Sequence, residues 1–95
     1  MNKNLAVFVP AGRATVFEQN TKPSLEEMQK YVGGYIEGTP CIYDGRKGTM
    51  VCNEEGILRG LPVNATATKI IADTYPMRRT QDIHGNVIVL LGFRL

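Results

Sequence analysis

Apolar and polar segments alternate along the early part of the chain in a pattern that predicts a hairpin followed by a helix. Residues 4–9 are an apolar run of the kind found in buried strands. The turn-forming residues 10–12 separate this run from residues 14–18, which we interpret as a second strand. After a polar loop, residues 24–32 have the spacing of an amphipathic helix.

The helix has start and stop signals at its two ends. Ser24 and Glu27 have the spacing of a capping box, in which each side chain binds the backbone N–H of the other residue. One apolar stripe follows at helical spacing, formed by Leu25, Met28 and Val32. Gly33 and Gly34 adopt positive φ angles at no steric cost, so we expect the helix to end there and turn directly into a strand.

Short β-type runs fill the middle of the chain. Residues 35–37 predict a strand that residues 38–40 interrupt. Residues 41–43 either continue that strand or begin another. A turn and loop are expected over residues 44–48, because Asp-Gly is a turn signal, and residues 49–52 predict the next strand.

The second half of the chain predicts one short helix and one buried strand. Residues 53–56 have turn composition, and Asn64 is a suitable N-cap for a helix at about residues 64–72. Residues 75–84 are polar and irregular. Residues 87–91 are continuously apolar, which is typical of a strand that is central in its sheet or covered on both faces.

Together these elements predict an α+β fold. We expect a mixed or mainly antiparallel sheet of about five to six strands, packed against the helix at about 24–32 and the second short helix at about 64–72. With 95 residues, the chain should form a single α+β domain over residues 1–95.

Charge and cysteine content argue against several classes of protein. The net charge of +2 is small for a general nucleic-acid binder, so nucleic acid is not an expected partner. Cys41 and Cys52 are too few for a disulfide framework, and we expect them as small buried side chains on neighbouring strands. His84 is the single histidine, so neither a zinc site nor any other cofactor is expected.

Four ordered blocks of the sequence carry a family resemblance. They are residues 25–37, 51–56, 60–68 and 85–89. Together they resemble domain-of-unknown-function family 3846, found in bacteriophages, plasmids and bacteria. The resemblance implies a phage or mobile-element origin but brings no catalytic residue. No apolar run reaches the length of a membrane span, so we expect a soluble protein without membrane contact, in the cytoplasm of the host bacterium.

Six polar residues are candidates for ligand binding. Asn64 begins a helix whose free N–H groups would attract an anion, and Arg59 and Lys69 would add positive charge near it. The other candidates lie in the matching blocks and are Gln29, Glu37 and Asn53. We expect Gln29 and Glu37 to lie close together across the two glycines, which leave room for a ligand.

Each of these side chains also has a structural interpretation. Gln29 suits a hydrogen bond at the junction of helix and strand, and Glu37 suits an exposed strand position. Asn53 suits a turn and Asn64 a helix cap. The sequence leaves these alternatives open.

Enzyme signatures are missing from the sequence, which contains no nucleophile elbow, no phosphate-binding loop and no pair of metal-ligating histidines. We therefore expect a non-enzymatic protein that binds a small phosphate-containing ligand, and the phage setting indicates sequestration of a nucleotide defence signal. The alternative is an inhibitor that binds a host defence or metabolic protein, with tyrosines as contacts. Its candidate contacts are Tyr31, Tyr35, Tyr43 and Tyr75. A homo-oligomer is also expected, because binding proteins of the first kind commonly hold their ligand between subunits and a chain of 95 residues gains stability by oligomerising.

Overall fold

The computed structural model describes residues 3–12 and 15–95, which form one sheet and two helices. The strands are β1 (Leu5–Val9), β2 (Phe17–Gln19), β3 (Ile36–Tyr43), β4 (Arg46–Asn53) and β5 (Val87–Leu91), and the helices are α1 (Leu25–Val32) and α2 (Ala65–Thr74). The sheet has the order β2-β1-β5-β4-β3 and all its neighbouring strands are antiparallel. The predicted α+β fold is confirmed.

Strand β5 lies at the centre of the sheet because its residues are apolar on both faces. All its side chains are buried, and it pairs with β1 on one side and β4 on the other. Val87 and Val89 pack towards α2, whereas Ile88 and Leu90 pack towards α1. The expectation of a covered, central strand is confirmed, and the first two strands form the expected hairpin.

The two helices cover opposite faces of the sheet. Met28 and Val32 of α1 belong to one buried cluster, and Ile70 and Ile71 of α2 belong to the other. Strands β1, β4 and β5 contribute alternate residues to the two clusters, since successive side chains of a strand point to opposite faces. The result is a three-layer arrangement in which the sheet separates two small cores.

Both predicted helix starts are confirmed, and so is the end of α1. The N–H of Glu27 donates to the Ser24 hydroxyl at 3.1 Å, and the N–H of Ser24 donates to the Glu27 carboxylate at 3.0 Å. The bond from the Ser24 backbone N–H, and after it a side-chain hydrogen bond from Ser24, hold the pKa of the Glu27 carboxyl below its usual range. Gly33 ends α1 with a left-handed φ of 85°, as its missing side chain allows.

Helix α2 is longer than expected because a tertiary contact extends its end. It continues to Thr74, beyond the expected residue 72. The Thr74 hydroxyl donates to the Ile70 carbonyl at 2.7 Å and accepts from the N–H of Ile42 at 2.9 Å. Tyr75 adds a hydrogen bond from its hydroxyl to the Pro40 carbonyl at 3.2 Å. The end of α2 therefore covers part of the outer edge of β3, where unpaired backbone groups would otherwise face solvent.

Two expectations for the middle of the chain were wrong. Residues 38–40 do not interrupt the strand, because β3 is an edge strand in which Pro40 needs no N–H partner. Residues 46–48 are part of β4 rather than a loop. Asp44 and Gly45 both have positive φ angles, of 50° and 76°, and this tight turn lets Arg46 pair directly with Tyr43.

Smaller differences and agreements complete the comparison. The second strand runs over Phe17–Gln19 rather than 14–18, and Ala14 lies outside the described residues. Cys41 and Cys52 are buried free thiols on the neighbouring strands β3 and β4, as expected. Within residues 3–12 and 15–95, no helix has the length and apolar character needed to cross a membrane.

Candidate functional site

A groove of about 380 Å³ lies where β3 and β4 meet two loop segments. One wall is the turn that follows β4, and the other is the segment that leads into β5. The groove is lined by Glu37, Cys52, Asn53, Glu54, Glu55, Gly56, Ile57, Leu58, Gln81, Asp82, Ile83 and His84. It opens on the face of the sheet that α2 covers, since Cys52 belongs to the α2 core.

The groove carries a concentration of negative charge. Its lining includes four carboxylates and no lysine or arginine. Glu55 is paired with Arg59 at 3.6 Å, with both side chains about half exposed, so solvent screens this pair. Within the described residues, no ion pair involves Glu37, Glu54 or Asp82. The groove therefore presents an electrostatic environment that favours a positively charged group.

Asn53 holds the first wall in place. Its side-chain amide donates to the Val32 carbonyl at the end of α1 at 3.1 Å, and its side-chain oxygen accepts from the N–H of Glu55 at 2.7 Å. Only 5% of its surface is exposed, so these bonds are protected from water. Asn53 thus attaches the turn that contains Glu54 and Glu55 to the end of α1.

The second wall is fixed by contacts around His84. His84 and Val63 form an isolated antiparallel bridge. The His84 Nδ1 atom lies 2.8 Å from the Leu61 carbonyl, which can only accept, so the proton of this bond is on Nδ1. A Cβ atom at Gly56 would lie 3.1 Å from the His84 carbonyl, so glycine lets the two walls meet.

Glu37 and Cys52 lie beside each other in the groove lining, as partners across β3 and β4. The Cys52 Sγ atom is 3.8 Å from the Glu37 carboxylate, to which its thiol donates. Burial first, and then the charge of Glu37, raises the pKa of the Cys52 thiol to about 12. A thiol with so high a pKa is protonated at physiological pH, whereas the nucleophilic form of cysteine is the thiolate.

Exposed apolar side chains stand around this acidic surface. Ile57 and Leu58 line the groove, and their exposed fractions are 61% and 84%. Tyr35 is 71% exposed, and its carbonyl accepts from the N–H of Glu54, so it adjoins the first wall. Exposed apolar side chains that adjoin each other, as Ile57 and Leu58 do, are typical of surfaces that contact another protein, whereas single ones are common on any protein.

The structure brings Glu37 and Asn53 into the groove but does not gather the six predicted residues at one site. Arg59 lies beside the groove through its pair with Glu55. Gln29 belongs to α1, on the opposite face of the sheet from the Glu37 side chain. Its backbone carbonyl, at the junction, accepts from both Gly33 and Gly34.

Asn64 caps the start of α2 and Lys69 lies within that helix, and both are outside the groove lining. The Asn64 side chain is 1% exposed. It donates to the carbonyls of Val9 and Gly85, each at 2.9 Å, and accepts from Ala67 at 3.0 Å. Lys69 is paired with Asp73 at 2.9 Å. The Asn64 amide is thus fully engaged in holding α2 against the sheet.

The groove also contains residues that were not among the six predicted ligand residues. These are Cys52, Glu54, Glu55, Gly56, Ile57, Leu58, Gln81, Asp82, Ile83 and His84. The sequence could have indicated the first wall of the groove, because the acidic pair Glu54 and Glu55 is closely followed by the apolar pair Ile57 and Leu58. Asp82 and His84 gave no such indication, because tertiary contacts such as the bridge between Val63 and His84 bring their segment next to this turn.

Residues 3–92, nearly the whole chain, match the model of a family described as Domain of unknown function (DUF3846). No curated protein and no solved structure matches the chain significantly. The family match covers all four sequence blocks that carried the resemblance. The chain belongs to the DUF3846 family.

Proposed function

We propose that this domain is a non-enzymatic binding protein whose acidic groove takes a positively charged segment of a partner protein. The observation that carries the proposal is the composition of the groove lining, four carboxylates without a lysine or arginine. The contacts of Asn53 and His84 hold the walls, so the carboxylates stand on a preformed support. A preformed site loses less conformational entropy on binding than one that must be ordered.

A protein is a better partner for this surface than a small cation. Ile57, Leu58 and Tyr35 are exposed near the carboxylates, and protein interfaces combine an apolar core with a polar rim. A segment that places lysine or arginine among aliphatic side chains would complement both the carboxylates and the apolar side chains. Charge complementarity would then guide the partner into position, while the apolar contacts would slow its dissociation.

A phosphate-containing ligand is a second proposal, and it concerns the start of α2 rather than the groove. The negative charge of the groove would repel phosphate. At the start of α2, Asn64 caps the N–H of Ala67, and the N–H groups of Ala65 and Thr66 precede it. An anion there would have to draw Arg59 and Lys69 from their present carboxylate partners. Sequestration of a nucleotide signal rests on this site.

The biological setting is a further part of the proposal, and the family resemblance alone supports it. On that ground we propose a bacteriophage origin, action in the cytoplasm of the host bacterium, and an inhibitory role against a host defence or metabolic protein.

The proposal is tested with a fluorescent peptide of alternating arginine and leucine, whose binding is followed by fluorescence anisotropy. We expect binding that weakens with salt. Each of Glu37→Gln, Glu54→Gln and Asp82→Asn should weaken it about two- to five-fold, which corresponds to roughly 0.4–1 kcal/mol of screened attraction. The matched control is Glu18→Gln, which removes an exposed carboxylate from β2 at the far edge of the sheet.

Two further measurements separate the alternatives. A peptide with glutamate in place of arginine should not bind, and equal binding of both peptides would refute the electrostatic argument. Binding of ATP that is lost in Arg59→Glu, with the fold intact, would instead favour the phosphate proposal.

A further inference from the structure

We infer that one protein ligand of the groove is a second copy of this chain, which inserts the segment of residues 76–79 that follows α2. This inference rests on the proposed function, since it uses the same carboxylates. In the resulting dimer, the segment of each copy would lie in the groove of the other.

The segment has the chemistry that the groove favours. It contains Met77, which is 95% exposed, followed by the exposed Arg78 and Arg79. The Arg78 guanidinium lies 4.3 Å from the centre of the Tyr75 ring, which holds it near α2. An apolar side chain next to two guanidinium groups complements a groove that offers Leu58 next to carboxylates.

The basic segment and the acidic groove are neighbours on one surface. Thr80 alone separates Arg79 from Gln81, the first residue of the second groove wall. A two-fold dimer joins the same patch of both copies, so it requires a patch that is complementary to itself. A basic area beside an acidic area satisfies that condition.

The arginines do not neutralise the groove of their own molecule. Within residues 3–12 and 15–95 the ion pairs are Arg59–Glu55 and Lys69–Asp73, and neither involves Arg78 or Arg79. Both charged areas are therefore available to a second copy. Because the charges are exposed, solvent screens each contact, and we expect a dimer that forms reversibly and dissociates as salt rises.

A charge swap tests the inference by sedimentation velocity at low salt, over a wide range of protein concentrations. Arg79→Glu and Glu54→Arg should each weaken the dimer about ten-fold or more, because two contacts per dimer become repulsive. An equimolar mixture of the two variants should associate as well as the wild type, since in the mixed dimer both contacts again join opposite charges. Lys30→Glu, on α1 at the other face of the sheet, is the control and should leave association unchanged.

The outcomes separate this inference from the proposed function. A wild type that remains monomeric, or a mixture that does not recover association, would overturn the self-recognition. If the arginine–leucine peptide still binds in that case, the proposed function of the groove stands. If the peptide does not bind either, both proposals fail.

Discussion

Replacing the buried Asn64 by alanine should destabilise the domain more than the loss of an ordinary helix cap. Asn64 caps α2 by accepting from Ala67, and it also ties that helix to β1 and to the approach of β5 through the Val9 and Gly85 carbonyls. The exposed cap Ser24 makes only the local bonds of its capping box. Ser24→Ala is therefore a matched control that removes a cap without removing bonds to the sheet.

The magnitude follows from the three bonds. Loss of a helix cap costs about 1 kcal/mol, and each further hydrogen bond lost to a buried carbonyl costs about 1 kcal/mol or more. We expect Asn64→Ala to lower the free energy of unfolding by about 3 kcal/mol and Ser24→Ala by about 1 kcal/mol. The larger loss is a substantial part of the roughly 5–15 kcal/mol that stabilises a small domain.

The assay is urea unfolding followed by circular dichroism, with the slope of the free energy against urea compared between variants. An unchanged slope shows that the variants differ in stability rather than in the compactness of either state. Equal losses for Asn64→Ala and Ser24→Ala would refute the reasoning, because the two buried donor bonds would then contribute nothing.

Three other perturbations have outcomes set by single contacts. Thr74→Val removes the hydroxyl that accepts from the N–H of Ile42 on the edge strand β3, so we expect the free energy of unfolding to fall by about 1 kcal/mol. Light scattering on heating should rise, because an uncovered strand edge promotes aggregation, whereas Thr74→Ser should behave as wild type. Gly48→Ala would place a Cβ atom 2.6 Å from the Leu90 carbonyl oxygen, and we expect a loss of about 1–3 kcal/mol in urea unfolding; a neutral effect would contradict the close approach. Folding raises the pKa of the Cys52 thiol to about 12 from an ordinary 9.0. Its contribution to the free energy of unfolding is fully present below about pH 9 and is lost as pH rises towards 12, because over that range the unfolded chain gives up the thiol proton and the folded chain keeps it. The fall in urea midpoint over that range should be smaller in Cys52→Ala than in the wild type.

Features that depend on short stretches of sequence were predicted well. The start of α1 needed only the spacing of Ser24 and Glu27, and its end needed only Gly33. Strand β5 was equally clear, because five consecutive buried residues leave few positions other than the centre of a covered sheet. In each case the deciding interactions lie within one element or follow directly from its composition.

Features that depend on partners distant in the sequence were predicted poorly. Pro40 was read as an interruption because its tolerance in β3 depends on the strand being at the edge of the sheet. Helix α2 extends to Thr74 because that hydroxyl meets Ile42 on β3. Neither the edge position of β3 nor the contact between Thr74 and Ile42 can be recognised from the neighbouring residues. Propensities alone therefore gave the wrong boundaries for β3 and for α2.

The candidate site was also predicted poorly, because its residues come from three separate segments of the chain. Glu37, Glu54 and Asp82 each suit an exposed position, and nothing in their own segments indicates that they share a groove. They come together because antiparallel pairing sets β3 beside β4 while the bridge between Val63 and His84 brings in the third segment. Their combined charge is thus a property of the tertiary structure.

Asn53 was a candidate ligand residue because it lies in a matching block, and Asn64 because it begins a helix whose free N–H groups would attract an anion. Both are instead buried in structural roles, since an asparagine amide can bind two chain segments at once. Asn53 joins α1 to the turn after β4, and Asn64 joins α2 to β1 and to Gly85. The proposed recognition would then depend on exposed charges such as that of Glu54, which lies on the turn that Asn53 holds. On this reasoning, substitutions at Asn53 should reduce peptide binding only together with stability, whereas Glu54→Gln should reduce binding alone, and unfolding measurements on both variants distinguish the two roles.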